Sequence, residues 1–103
     1  VAGSASSYTV PTGVPSNAAA NRIDLRGARG GSFVPAANGT YTFYGAHTTS
    51  ATPGLLCDED GDALDSMTVV AGRVYPLPID ESFGVPYLFV SGAAASTVSI
   101  YMK

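Results

Sequence analysis

The sequence predicts an all-β protein, a single small β-sandwich, jelly-roll-like or β-barrel domain, and three observations lead there. Ser96 to Met102 alternates strictly, with Val98, Ile100 and Met102 on one side and Thr97, Ser99 and Tyr101 on the other, the period of two of a strand with one buried face. About eight short β-branched and aromatic segments are separated by Gly, Pro, Asn and Asp, the punctuation of an all-β domain. The chain has 103 residues, which allows one domain with one core.

The elements follow in order. Residues 1–20 are uncharged and rich in Ser, Ala, Gly and Pro, and they read as an extended N-terminal arm ahead of a β-domain over residues 21–103. Tyr8-Thr9-Val10 has strand character, but Pro11 and Pro15 confine such a strand to an edge, available to a neighbour by strand addition; the plainer reading is a floppy terminus. In the next segment Ile23 and Leu25 alternate with Arg22, Asp24 and Arg26, a half-buried strand that ends at Gly27. A helix over Ala18 to Arg29 is opposed by Gly27 and by that alternation.

Ser32 to Val34 and Thr40 to Tyr44 read as two strands joined by Asn38-Gly39, a strong hairpin signal. Tyr41 and Phe43 then share the core face. Asp60-Gly61 reads as a second hairpin turn, between Leu55-Leu56-Cys57 and Ala63 to Val70. Met67 to Val70 and Val74-Tyr75 flank a turn at Ala71-Gly72-Arg73, and Tyr87 to Val90 is a strand without charge. Ile79 to Phe83, between Pro78 and Gly84, is the single candidate helical turn. Pro76, Pro78 and Pro86 put the Tyr75-to-Tyr87 connection at a sheet edge or sandwich end.

Composition narrows the function. Charged residues make up 13% of the chain, about half the usual quarter. So few charges favour a surface covered by neighbours in an oligomer or lattice, against the alternative of a Ser/Thr-rich exterior. The net charge of -3 excludes a strongly basic nucleic-acid binder, and the Arg-Gly spacing over residues 26–31 matches single-strand-binding segments only faintly. Arg22, Arg26 and Arg29 form a basic strip in the first half, whereas most acids lie in the second. That asymmetry suits contact between copies, and a solvated surface shows it as well. No apolar run approaches the ~20 residues of a membrane helix.

Chemistry-bearing residues are sparse. Cys57 is single, which rules out an internal disulfide, and beside Leu55 and Leu56 it reads as a small core hydrophobe. His47, the one histidine, has no local nucleophile motif and reads as a loop residue. Asp58 to Asp65 is rich in carboxylates but departs from the EF-hand pattern, since Gly61 comes too early and no closing Glu follows; an acidic turn is preferred to a Ca²⁺ site. No cofactor and no catalytic residue is expected.

The run Ala71-Gly72-Arg73-Val74-Tyr75-Pro76-Leu77-Pro78, followed by Pro86 to Ala94 and Thr97 to Tyr101, resembles small structural proteins of tailed bacteriophages, especially head decoration (cement) proteins. The resemblance spans roughly residues 67–103. It implies an oligomeric β-module, a homotrimer, made in the host cytoplasm and seated on the capsid surface of the virion. Its partners would then be the major capsid protein and itself, with neither nucleic acid nor membrane involved. On this reading Tyr8, Arg22, Arg26 and Arg29 are the expected partner contacts. The alternative is a carbohydrate- or receptor-binding module of a tail or fibre, with Tyr44, Tyr75, Tyr87 and Tyr101 as stacking platforms.

Overall fold

The computed structural model describes residues 4–27, 29–57, 60–62, 66–77 and 85–102. They form an all-β domain of two antiparallel sheets packed face to face, without a helix among the described residues. The strands are β1 (Ser4–Val10), β2 (Ile23–Asp24), β3 (Gly31–Pro35), β4 (Gly39–Ala46), β5 (Gly54–Leu55), β6 (Met67–Val69), β7 (Tyr75–Pro76), β8 (Tyr87–Ser91) and β9 (Ser96–Met102). One sheet has the order β1-β9-β3-β7 and the other β2-β8-β4-β5, with β6 pairing with β4.

The alternation read in β9 is borne out: Val98, Ile100 and Met102 are buried, and Thr97, Ser99 and Tyr101 are exposed. Tyr41 and Phe43 likewise point inward from β4. Phe33 of β3 reaches across from the other sheet, stacking on Tyr41 with ring centroids 5.7 Å apart and meeting Phe43 edge-on at 6.3 Å. This aromatic seam sits inside an aliphatic shell that includes Ile23, Leu88, Val90 and Ile100. Burying each such side chain contributes about 1.5–3 kcal/mol.

One expected connection has a different form. The Asn38-Gly39 turn does not close a hairpin, because β3 pairs with β9 and β7 while β4 pairs with β8, β5 and β6; the chain crosses there from one sheet to the other. No described non-glycine residue has a positive φ, so the type I′ geometry that the dipeptide favours is not used. Instead Asn38 Oδ1 accepts a hydrogen bond from the Ala71 N–H (2.8 Å), and the Gly72 N–H donates to the Pro35 carbonyl (3.0 Å). Two crossovers are thereby stitched together at one end of the sandwich. The turn expected at Ala71-Gly72-Arg73 is present: the Arg73 N–H donates to the Val70 carbonyl (3.2 Å), Gly72 has φ +82°, and the Val70 N–H donates to the Tyr75 hydroxyl (2.8 Å). At the expected Asp60-Gly61 turn Gly61 has φ +85°, and the described strands on either side, β5 and β6, each pair with β4; the residues next to the turn that would close a hairpin lie outside the described residues.

Residues Ser4–Val10, within the segment read as an arm, are the edge strand of the chain's own sheet. They pair with β9 over the whole length, from Ser4 opposite Met102 to Val10 opposite Ser96. The edge position agrees with the Pro11 argument; the partner is internal. Val10 and Pro15 are core residues, so the segment contributes to the same hydrophobic interior as the rest. β8 is buried along its length because both of its faces are covered. Leu88 and Val90 face the main core, whereas Tyr87 and Phe89 join Ala46, with Tyr44 and Ala51 against them, in a second cluster on the outer side. The helical turn expected at Ile79 to Phe83 lies outside the described residues, as does most of the acidic run; Asp60 and Asp62 are exposed.

Candidate interaction surface

The outer face of the sheet β1-β9-β3-β7 follows from the register. In one row Ala5 lies opposite Tyr101, Tyr101 opposite Ser32, and Ser32 opposite Pro76. In the next, Ser7, Ser99 and Val34 align, and after it comes the Thr9 and Thr97 pair. None of these residues is charged. Ala5, Ser7, Thr9, Thr97, Ser99, Tyr101 and Pro76 are exposed, and Ser32 and Val34 are half-buried. The side chains are short apart from Tyr101, which is 45% exposed. Across several strands the surface is therefore nearly flat, free of formal charge and easily desolvated, since small hydroxyls pair readily across an interface.

The basic strip is built separately, along β2 and the turn before it. Arg22 is fixed by neutral acceptors: its Nε donates to Asn17 Oδ1 (2.8 Å) and its Nη2 to the Asn17 and Thr49 carbonyls (3.3 and 3.2 Å). Arg26 is held by Asp24, with Nη2 to Oδ2 at 2.7 Å and Nε to Oδ1 at 2.9 Å. Hydrogen bonding from Arg26 holds the Asp24 carboxyl at about 2, against an ordinary 3.8, and the same contact raises the guanidinium of Arg26. Both guanidiniums lie over the Tyr87 ring, at 6.0 Å for Arg22 and 5.4 Å for Arg26, within the range of cation–π attraction. Asn17 also donates to the Thr48 and Ala51 carbonyls (2.9 and 2.7 Å). The turn before β2 thus straps the 48–51 loop, whose Ala51 packs on the outer cluster of Tyr87 and Phe89.

Of the four expected contact residues, then, the structure brings Arg22 and Arg26 together and leaves Arg29 apart, exposed on the loop after β2. Tyr8 stands in the other sheet, opposite Val98 and packed against the main core. The exposed face of β1, β9 and β3 was not singled out by sequence reading. Half of its signal was present, in the outward Thr97, Ser99 and Tyr101, but the strands beside them come from distant parts of the chain.

An open groove of about 320 Å³ lies beside β5, with Ala46, His47, Leu55, Leu56, Cys57 and Val85 among its lining residues. Cys57 is exposed, contrary to the core position expected of it. The reason is local alternation: Leu56 turns inward, so Leu55 and Cys57 on either side turn out, and the thiol donates to the Leu55 carbonyl (3.5 Å). Among the described residues no three His, Cys, Asp or Glu side chains cluster as metal ligands, and no helix is long and apolar enough to cross a membrane. No protein-family model, curated protein or solved structure matches this chain.

Proposed function

We propose that the protein is a structural module that works by protein–protein contact, and that it decorates or cements a bacteriophage capsid as a homo-oligomer on the virion surface. The observation that carries the contact reading is the uncharged outer face of the β1-β9-β3-β7 sheet. A face without charges can be covered by a partner without the cost of desolvating them. The capsid as the particular partner is supported by the resemblance of residues 67–103 to decoration proteins. Attachment rests here on the sheet face. Tyr8, Arg22 and Arg26 are engaged inside the chain, which leaves Arg29 as the basic residue open to a peripheral, salt-sensitive contact.

The carbohydrate-binding alternative is weaker on geometry. Of the four tyrosines it would use, Tyr87 is buried, Tyr44 and Tyr75 are half-buried, and Tyr101 alone is exposed. A stacking platform for a sugar needs an open ring face.

The test is binding of the purified protein to capsid shells that lack it, with Ser99→Lys as the perturbed form. Ser99 is exposed at the middle of the face, so the variant keeps its fold by circular dichroism. Its occupancy on shells should fall by about tenfold or more, because an unpaired charge is carried into the contact. Wild-type protein that leaves shells undecorated removes the capsid reading, and Ser99→Lys binding as fully as wild type removes the face.

A further inference from the structure

The edge strand β1 has one side bonded to β9 and one side open, and the hydrogen bonds tell which residues face which way. The Thr9 N–H donates to the Ala20 carbonyl (2.9 Å), although Thr9 lies opposite Thr97 in the ladder. Its N–H therefore points away from β9. The Thr97 carbonyl accepts from the Ala36 N–H (3.1 Å), on the β3 side, so the Thr9 and Thr97 pair is a non-hydrogen-bonded one. Residues two apart on an antiparallel strand direct their backbone groups alike. The N–H and C=O of Ser7 and Ala5 accordingly point outward with those of Thr9, and among the described residues no strand lies beyond β1.

Natural edges are usually blunted by lysine, proline, a bulge or a covering loop. Between Ser4 and Val10 there is neither charge nor proline, and the covering contact from Ala20 reaches Thr9 only. Among the described residues, what remains open is the outward backbone of Ala5 and Ser7, one on each side of Ser6.

We propose that this edge pairs with the same edge of a second copy, antiparallel about a two-fold axis at Ser6. Ala5 of each chain then faces Ser7 of the other, and each facing pair exchanges two backbone hydrogen bonds. Moving the axis to Ser7 meets an obstacle: it brings Thr9 opposite Ala5, and the Thr9 N–H is already taken. The occupant is a second copy because Ala5 and Ser7, the open pair among the described residues, are symmetric about Ser6, so that the strand complements its own copy. Residues 4–21 carry no charge, so two such edges meet without repulsion. An isologous contact of this kind closes as a pair and does not propagate. Pairing also extends the β1-β9-β3-β7 sheet into the second copy and joins the two uncharged faces into one surface; it thereby deepens the association reading above and rests on it.

The experiment is sedimentation equilibrium over a range of concentrations, for the wild type and for Ser7→Pro. Proline at position 7 removes an outward N–H and fills the edge while leaving the β9 ladder intact. The wild type should pass from one chain mass to two, and Ser7→Pro should raise the dimer dissociation constant by roughly tenfold or more, as loss of both Ser7 donors requires. Amide hydrogen exchange on the wild type gives a second readout that holds even if the variant fails to fold: Ala5 and Ser7 should become protected as concentration rises. A wild type that stays monomeric overturns the proposal, as do a dimer that Ser7→Pro leaves unchanged and amides that exchange alike at all concentrations. Shell binding measured in parallel separates the two ideas. Monomers that still decorate shells refute the edge pairing alone, and dimers that ignore shells refute the capsid reading alone.

Discussion

Replacing Gly31 by Ala tests how closely the two ends of the fold are held. Gly31 opens β3 opposite Met102, and its carbonyl accepts from the Leu77 N–H (3.0 Å). A Cβ at this position would lie 2.6 Å from the Tyr101 carbonyl oxygen and 2.8 Å from Leu77 Cδ1. The first contact is with backbone, which cannot retreat without loosening the β3–β9 ladder; the second is with a side chain only 2% exposed, which has little room to turn. Overpacking of this kind costs about 1–3 kcal/mol, against a gain of roughly 0.4–1 kcal/mol from stiffening the unfolded chain. The expected net loss is about 1–2 kcal/mol, or a fall in Tm of roughly 5–15 °C for a domain of this size. Gly54→Ala is the matched control, since nothing lies within 4 Å of its added Cβ, and it should leave Tm unchanged or slightly raised. The assay is thermal and urea unfolding followed by circular dichroism, with the midpoints of both variants compared. A Gly31→Ala protein as stable as Gly54→Ala would refute the close approach of the Tyr101 carbonyl to β3.

Three further outcomes are expected. The Tyr41 hydroxyl is buried without a hydrogen-bond partner, so Tyr41→Phe should be neutral or stabilising by up to about 1 kcal/mol in urea melts, where deletion of a buried hydroxyl usually destabilises. Burial raises the Tyr41 phenol above its ordinary 10.0. Its contribution is thus complete below pH 10 and lost as pH climbs through the folded value, and the advantage of Tyr41→Phe should widen in strong alkali. Asp24, held at about 2 instead of 3.8, stabilises above the higher value and ceases to do so as pH falls toward the lower. Because its side chain is 40% exposed, the effect is under about 1 kcal/mol, and Asp24→Asn should flatten the stability profile between those two pH values. Deleting residues 1–10 should cost at least about 2 kcal/mol, from the burial of Val10 alone, and should expose β9 as a new edge; a truncated protein melting with the full chain would show β1 to be dispensable.

The sequence by itself determined the class of fold and which side of most strands faces inward. Strand periodicity is local: the alternation of β9, the inward Tyr41 and Phe43 and the inward Ile23 and Leu25 follow from neighbours two apart, and all of them are buried. Partner choice is not local, and only the tertiary structure decided it. Asn38-Gly39 has the chemistry of a hairpin turn, yet β3 and β4 join different sheets, where Phe33 meets Tyr41 and Phe43 across the core. Tyr8-Thr9-Val10 reads as an edge strand seeking a neighbour, and β9, nearly the whole chain away, supplies one. The uncharged face emerges for the same reason. Its rows are assembled from residues as distant as Ala5, Ser32, Pro76 and Tyr101, brought side by side by backbone hydrogen bonds that are alike for every residue and so leave no mark in the sequence.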